Sequence, residues 1–439
     1  MAPREPSSRR GGSLRPVRMQ RVALVAGLDD LDRVLVCAGA AGCVEIESED
    51  AAPGAAEAAG PADPLERFER SAARERGTAA LVGWCPVEDV PRLGERLGEF
   101  GGSLVPLPRP RGVDPPTLLR ETTRTRRAFS PLVRGYTTVP YPDLDPTVFA
   151  GCAYVLMFGL MFGDVGHGLV LIAGALALRT GRIKALSRIR HLWPFVASAG
   201  AASAAAGLLY GEFFGPTGVV PALWLRPLDQ PLRLLAYAVV LGAVLLAASY
   251  ALGCVNRWHE AGPGSALYAA SGIAGATAFL GLAVLAIGVW RHSGAVQIAG
   301  AALAVAGLAA VGAGLAATSP PGPAGGFQVG LGLVDTVTGM ASNAISFSRL
   351  AAFGLTHAAL GSIIWQGTTG LAHHGAFALV GAVLLFAVGN AVAFALEGLV
   401  VGVQAMRLEY YEMFSRIFAS SGRPFQPFRL SPLASEVTP

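Results

Sequence analysis

The sequence predicts an α-helical, multi-spanning membrane protein that carries a small N-terminal α+β domain. Two observations predict it. The 439 residues are 52% apolar and only 15% charged, with 56 glycines, and the apolar residues are unevenly spread. Up to about Arg134 the chain is charged and mixed; from about Thr147 long uncharged stretches follow one another. Residues 234–256, 265–290 and 295–334 contain no Asp, Glu, Lys or Arg, and each is long enough to cross a hydrocarbon core of ~30 Å. The formal net charge of +4 is modest and asks for no nucleic-acid partner. The five cysteines, Cys37, Cys43, Cys85, Cys152 and Cys254, show no CxxC spacing. Free thiols are expected, with no metal and no cofactor.

Residues 1–19 are basic and rich in Pro, Gly and Ser, the composition of a disordered tail. No apolar signal-peptide core of adequate length follows it. A cytoplasmic α+β lobe is expected over 20–110. Its first half is a strand at 22–26, an amphipathic helix at 28–38 and a strand at 43–46. A low-complexity Ala/Pro/Glu insert at 50–76 reads as a loop with a short helix. The strand–helix–strand pattern then repeats, with residues 87–91 opening the helix and Gly101–Gly102 closing it. Two such units predict a ferredoxin-like sandwich. Residues 111–145 are a linker and membrane entry, continuing the proline-rich run "PLPRPRGVDPPT".

The membrane domain is expected over 146–418, with a cytoplasmic tail at 419–439. About eight spans are predicted, near 146–163, 165–180, 193–214, 233–255, 265–290, 295–317, 328–366 and 375–417. The first pair is read as a hairpin because both flanks are basic: Arg124, Arg126, Arg127 and Arg134 before it, Arg179, Arg182, Lys184, Arg188 and Arg190 after it. Positive charge collects on the cytoplasmic side. The same parity puts a loop at 257–259 and both termini inside. The last two spans are too long to cross upright and must tilt or project.

Between Arg291 and Arg407 only Asp335, Arg349 and Glu397 carry charge. Ser342, Ser346, Arg349 and Thr356 lie 7, 11, 14 and 21 residues beyond Asp335, one face of a helix, with His357 bordering it. Asn390, Glu397 and Gln404 repeat at intervals of 7, and Arg407 follows one turn later. Charged groups at membrane depth are costly and face a partner or water. On straight helices Asp335 would lie about 21 Å to the cytoplasmic side of Arg349, and His357 about 12 Å to the outer side. The pattern reads as two polar paths offset in depth, with an arginine between them. Arginine stays protonated and cannot relay a proton. The plain alternative is an Arg349–Glu397 ion pair that fixes helix packing. His191 and His259 are expected in loops, and the Gly and Ala residues of spans three to six at close helix contacts.

"LMFGLMFGDVGHGLVL" (156–171), "ISFSRLAAFGLTHAAL" (345–360) and "LEGLVVGVQAMRLEYYEMFSRIFASSGRPFQPF" (396–428) resemble the stator membrane subunit of V/A-type rotary ATPases, subunit a or subunit I. "LLYGEFFGP" (208–216) and "GWCPVEDV" (83–90) are similar to it too. The resemblance implies translocation of protons, or Na⁺, against a rotating ring of small proteolipid subunits. It puts Arg349 at the family's essential arginine and Arg407 at its second arginine. It puts His357 and Glu397 in the outer half-channel, Asp335 in the cytoplasmic one, and Asp164 on the outer side. Ser342, Ser346, Thr356, Asn390 and Gln404 would support the polar path. The implied partners are the ring, peripheral stalk subunits, a soluble ATPase sector and the lipid bilayer. The short arm and the Ala/Gly/Arg-rich composition suggest a bacterial plasma membrane. In the family the N-terminal arm usually has two lobes joined by a long coiled coil; here the insert at 50–76 stands in that place.

The chain is not expected to be an enzyme on its own: it has no G-x-x-x-x-G-K-[ST] motif, so ATP chemistry falls to other subunits. Two other readings compete. A self-contained ion-coupled transporter would show a repeat between its halves, and the stripe motifs do not recur in 146–290. A membrane scaffold with the same fold and no translocation would tolerate loss of Arg349.

Overall fold

A computed structural model describes residues 15–47, 68, 71–110, 112–120, 123–181, 184–373 and 376–429. Most of the tail expected at 1–19, most of the insert at 50–76 and the end of the chain lie outside the described residues. The chain divides into two compact units. One gathers residues 15–120 and 138–141 with those after 420; the other holds 121–137 and 142–420.

In the first unit β1 (Met19–Gly27) is central, because it pairs antiparallel with both β4 (Thr78–Pro86) and β5 (Gly102–Leu107). With β2 (Glu45–Ile46) on the far side of β4, the order is β2-β4-β1-β5. That is the strand order of a split βαβ fold. The crossovers are α1 (Leu31–Ala41) and α2 (Val90–Gly98). Alternate residues of β1 and β4, among them Val22, Leu24 and Leu81, meet Val34, Leu35, Leu93 and Leu97 of the helices in one buried core. Helix α1 starts three residues later than position 28, since 28–30 form a turn. Part of the expected insert is ordered differently from the loop and short helix read there. Residues Ala73–Glu75 form β3 on β4. Arg76 and Gly77 both take positive φ, 47° and 83°, which closes a tight two-residue hairpin.

Residues after 420 are built into this unit. The Phe428 N–H donates to Val44 O at 2.8 Å, and the Phe428 ring meets Phe68 edge-on at 4.9 Å. The Gln426 N–H donates to Glu45 Oε2 at 2.7 Å, and Arg423 reaches Glu45 Oε1 at 3.0 Å. Burial pushes the Glu45 carboxyl above its ordinary range, opposed by the Gln426 N–H and the Arg423 guanidinium. Phe428→Ala is expected to cost this unit about 3 kcal/mol. Hydrogen exchange of the β4 amides in the full chain would show it as faster opening.

In the second unit six helical stretches are long and apolar enough to cross a membrane, among the described residues, with Pro323–Ala372 counted as one, and two apolar helices are shorter. Helix α3 (Arg124–Arg134) is capped by Thr123, whose hydroxyl accepts from the Arg126 N–H at 3.2 Å. The two shorter apolar helices are α4 (Thr147–Met161) and α5 (Val165–Thr180), of 15 and 16 residues. Both pack on α6 (Trp193–Tyr210). Gly159 of α4 meets Ala202, and Gly163 just past its end meets Ala206 and Tyr210, an ascending order; along α5, Gly168 meets Ala204 while Leu171 meets Gly200, a descending one. The chain therefore reverses at 162–164. The hairpin is real, but each arm is shorter than the ~20 residues of a full crossing.

Helix α7 (Pro231–Tyr268) corrects the loop expected at 257–259. The helix continues to Gly262 (φ 79°) and Pro263, so His259 is helical. The basic residue there is no loop marker: Arg257 is buried, donates to Ser271 Oγ at 3.1 Å and pairs with Glu260. His191 likewise sits in a 3₁₀ turn, Lys184–Leu192. Helices α8 (Ile273–Trp290) and α9 (Gly294–Thr318) lie antiparallel in close contact. A Cβ on Gly281, Gly300 or Gly307 would fall 2.2–2.4 Å from a backbone nitrogen of the other helix, at Ala304, Leu285 and Ala278. Small residues set that approach.

The expected seventh span is two helices, α10 (Pro323–Ser346) and α11 (Ser348–Ala372). They meet at Phe347, whose N–H reaches back three residues to Ala344 O at 3.3 Å, while Leu350 N–H reaches Phe347 O at 3.0 Å. The Phe347 ring is fully buried against Gly242 of α7. Helix α12 (Ala376–Leu408) runs into a π-helical turn, Glu409–Phe414, and a last turn α13 (Ser415–Ile417).

Candidate functional site

The turn at 162–164 ends in Asp164, the N-cap of α5. Its Oδ1 accepts the His167 N–H at 2.9 Å, and its Oδ2 accepts the Gly215 N–H at 3.0 Å. A carboxylate suits a helix N-terminus, where donors lack partners and the dipole is positive. The glycine spacing serves the approach: a Cβ on Gly207 of α6 would lie 2.3 Å from Val165 N. One turn into α5, His167 is buried between Phe162 and Phe214, and neither of its ring nitrogens makes a hydrogen bond.

Helix α11 brings His357 to the same place, its ring 5.5 Å from that of His167. Its Nδ1 is hydrogen-bonded to Glu397 Oε2 of α12, and Glu397 Oε1 is buried without a partner. Glu212, whose carbonyl accepts the Val165 N–H at 3.0 Å, is buried beside Asp164. Asp164, His167, Glu212, His357 and Glu397 thus form one interior cluster. Carboxylates and imidazoles are side chains that can take up and release protons.

Two turns back along α11, Arg349 pairs with Glu412 Oε1 at 3.6 Å. The arginine side chain is 32% exposed and the glutamate 6%. The cation therefore stands at the protein's edge with its counter-charge behind it. Ser346 sits beside the same carboxylate. Glu409, one turn earlier on the π turn, is fully buried with both oxygens unpartnered.

The Arg349–Glu397 pair considered from sequence is not formed. Each side chain has another partner: Glu412 for Arg349, His357 for Glu397. Of the other residues singled out, Asp335, Ser342, Thr356 and Arg407 are exposed. Thr356 bonds back to Ala352 O at 2.9 Å. Arg407 lines an open groove with Val403, Met406, Tyr410 and Tyr411. Asn390 is buried and donates to Phe386 O at 2.9 Å, leaving its Oδ1 bare, as is Gln404 Oε1. The stripe through Asp335 and Arg349 does not run along one straight helix, because the tightened backbone at Phe347 divides it.

Sequence reasoning missed His167, Glu212, Glu409 and Glu412. For Glu412 a signal exists only once the backbone is known. The seven-residue stripe of Asn390, Glu397 and Gln404 predicts position 411, yet Tyr411 is 70% exposed. A π turn takes up one extra residue, and that moves position 412 into the stripe.

Residues 66–216 match the V-type ATPase 116 kDa subunit family. The A-type ATP synthase subunit I of Aeropyrum pernix is 28% identical over 383 residues, covering 76% of this chain and 53% of the relative. Over residues 66–216 the chain is similar to the V-type ATPase 116 kDa subunit family. The V-type ATP synthase subunit I 2 of Treponema pallidum, a second relative, is 35% identical over 148 residues, 32% of this chain and 33% of that protein. The human V-type proton ATPase 116 kDa subunit a 3 is 32% identical over 155 residues, 32% of this chain and 19% of its own. The chain spans about half the length of the curated relatives it matches. The stretch matched by the 116 kDa subunit family takes in Asp164, His167 and Glu212.

Proposed function

We propose that this chain is the stator membrane subunit of a V/A-type rotary ATPase, moving protons or Na⁺ between two offset half-channels past an arginine. The observation that supports it most is the division of the buried charge. Arg349 stands half-exposed with Glu412 behind it, and the His357–Glu397–Asp164 cluster lies about 12 Å further along α11.

In this reading a ring of small membrane subunits runs along the exposed faces of α11 and α12, where Ala352, Thr356, Leu399 and Val403 point outward. A protonated ring carboxyl arriving at Arg349 gives up its proton, because a fixed cation favours the carboxylate. Arginine cannot take that proton itself, so it separates the paths. Glu397, His357 and Asp164 carry ions to the outer side. Asp335, Ser342 and Ser346 line the cytoplasmic path, and Arg407 adds positive charge at the end of α12. Thr356, Asn390 and Gln404 supply further polar groups. Peripheral stalk subunits would hold the N-terminal unit, and ATP chemistry would occur in a soluble sector. Both termini would face the cytoplasm of a bacterial plasma membrane.

The test compares vesicles holding the whole complex with vesicles holding this chain alone. The complex should build an ion gradient when given ATP, and the isolated chain should conduct nothing. Flux through the isolated chain would favour a self-contained transporter. No gradient from an intact, hydrolysing complex would favour a scaffold.

A further inference from the structure

Three side chains of the interior cluster have the makings of a metal site. Asp164, His167 and His357 each place one ligand atom within 4.8 Å of the others, and all three are more than nine-tenths buried. Both ring nitrogens of His167 lack hydrogen bonds, a costly state for a buried imidazole unless something polar meets it. His357 uses Nδ1 for Glu397, which leaves Nε2 as its ligand atom. A carboxylate on the far nitrogen of a ligating histidine fixes the ring and raises its basicity. The Asp164 carboxylate is held by two backbone N–H groups, and each of its oxygens keeps a second lone pair. Among the described residues neither Asp164 nor Glu397 has a lysine or arginine partner. Two carboxylates without a fixed counter-charge suit a dication.

We propose that Asp164, His167 and His357 bind a transition-metal dication of the Zn²⁺ or Co²⁺ type, with Glu397 orienting His357. Two imidazoles and one carboxylate with a fourth position open are a zinc-like ligand set. Nitrogen donors disfavour Mg²⁺ and Ca²⁺. Bonds of about 2.1 Å would draw the ligand atoms to roughly 3.4 Å apart, a closure that rotation of the two rings can supply. A bound dication would occupy the His357 nitrogen that the outer path needs. Zn²⁺ is therefore expected to stop ion passage, a consequence that rests on the function proposed above.

The test titrates Co²⁺ into the purified complex and follows its visible absorption, with Zn²⁺ as competitor. One saturable site per copy of this chain is expected, with the strong bands of a four-coordinate ion. His167→Gln should weaken binding at least tenfold, and Glu397→Gln about 10–100-fold. If His167→Gln does not assemble, His357→Asn carries the same comparison. An unchanged Co²⁺ affinity and spectrum in these variants would overturn the site. Zn²⁺ added to a pumping wild-type complex should arrest the gradient. Continued pumping with Zn²⁺ bound would overturn the blocking role and leave the site standing, whereas absence of pumping before Zn²⁺ is added would count against the translocation reading instead.

Discussion

Complexes carrying Glu397→Gln are expected to assemble and hydrolyse ATP, yet to build an ion gradient on the order of 100-fold more slowly than wild type. The amide keeps the shape and can still meet His357 Nδ1. It cannot accept or release a proton, and Glu397 is the only carboxylate bonded to that imidazole among the described residues. The measurement is ATP-driven quenching of a pH-sensitive dye in vesicles, with co-purification of the ring confirming assembly. Quenching at the wild-type rate would remove Glu397 from the path and leave the His357 contact a packing feature.

Gly307→Leu is expected to separate α8 from α9 and to lower the yield of folded protein sharply. A Cβ there would fall 2.3 Å from the backbone nitrogen of Ala278, so backbone must move rather than a flexible side chain. Overpacking of this kind costs about 1–3 kcal/mol where neighbours can yield, and two helix backbones yield little. Gly294, which has nothing within 4 Å of an added Cβ, is the control: Gly294→Ala should behave as wild type. Monodispersity after detergent extraction and the midpoint of thermal aggregation check both. A wild-type midpoint for Gly307→Leu would mean that the α8–α9 contact is looser than this geometry.

The features that composition and period encode were legible before the structure. The uncharged stretches, the reversal near Asp164 and the small-residue contact faces follow from charge and residue size. Arg349, His357 and Glu397 stood out because few other polar groups share their surroundings. What stayed hidden depends on backbone phase. Phe347 tightens the chain between α10 and α11, and the π turn at 409–414 inserts one residue. A projection that assumes 3.6 residues per turn therefore misplaces Glu412 and joins Asp335 to Arg349 on one stripe. Arg257 misled for a different reason: the positive-inside rule assumes exposed cations, and this one is buried against Ser271 and Glu260. His167 was passed over because one histidine in a glycine-rich turn has no partner visible in sequence. Its neighbours His357 and Glu397 come from helices far along the chain. Phe428 joined a core that local pattern gave no reason to extend past residue 107.

The central claim is that a fixed cation at Arg349 divides two ion paths. Its most direct test is ion movement in vesicles containing the whole complex, wild type against Arg349→Ala, with ring co-purification and ATP hydrolysis measured on the same preparations. The account predicts a variant that assembles and hydrolyses ATP but builds no gradient. A gradient of wild-type size would contradict it, and Arg349 would then be a packing partner of Glu412.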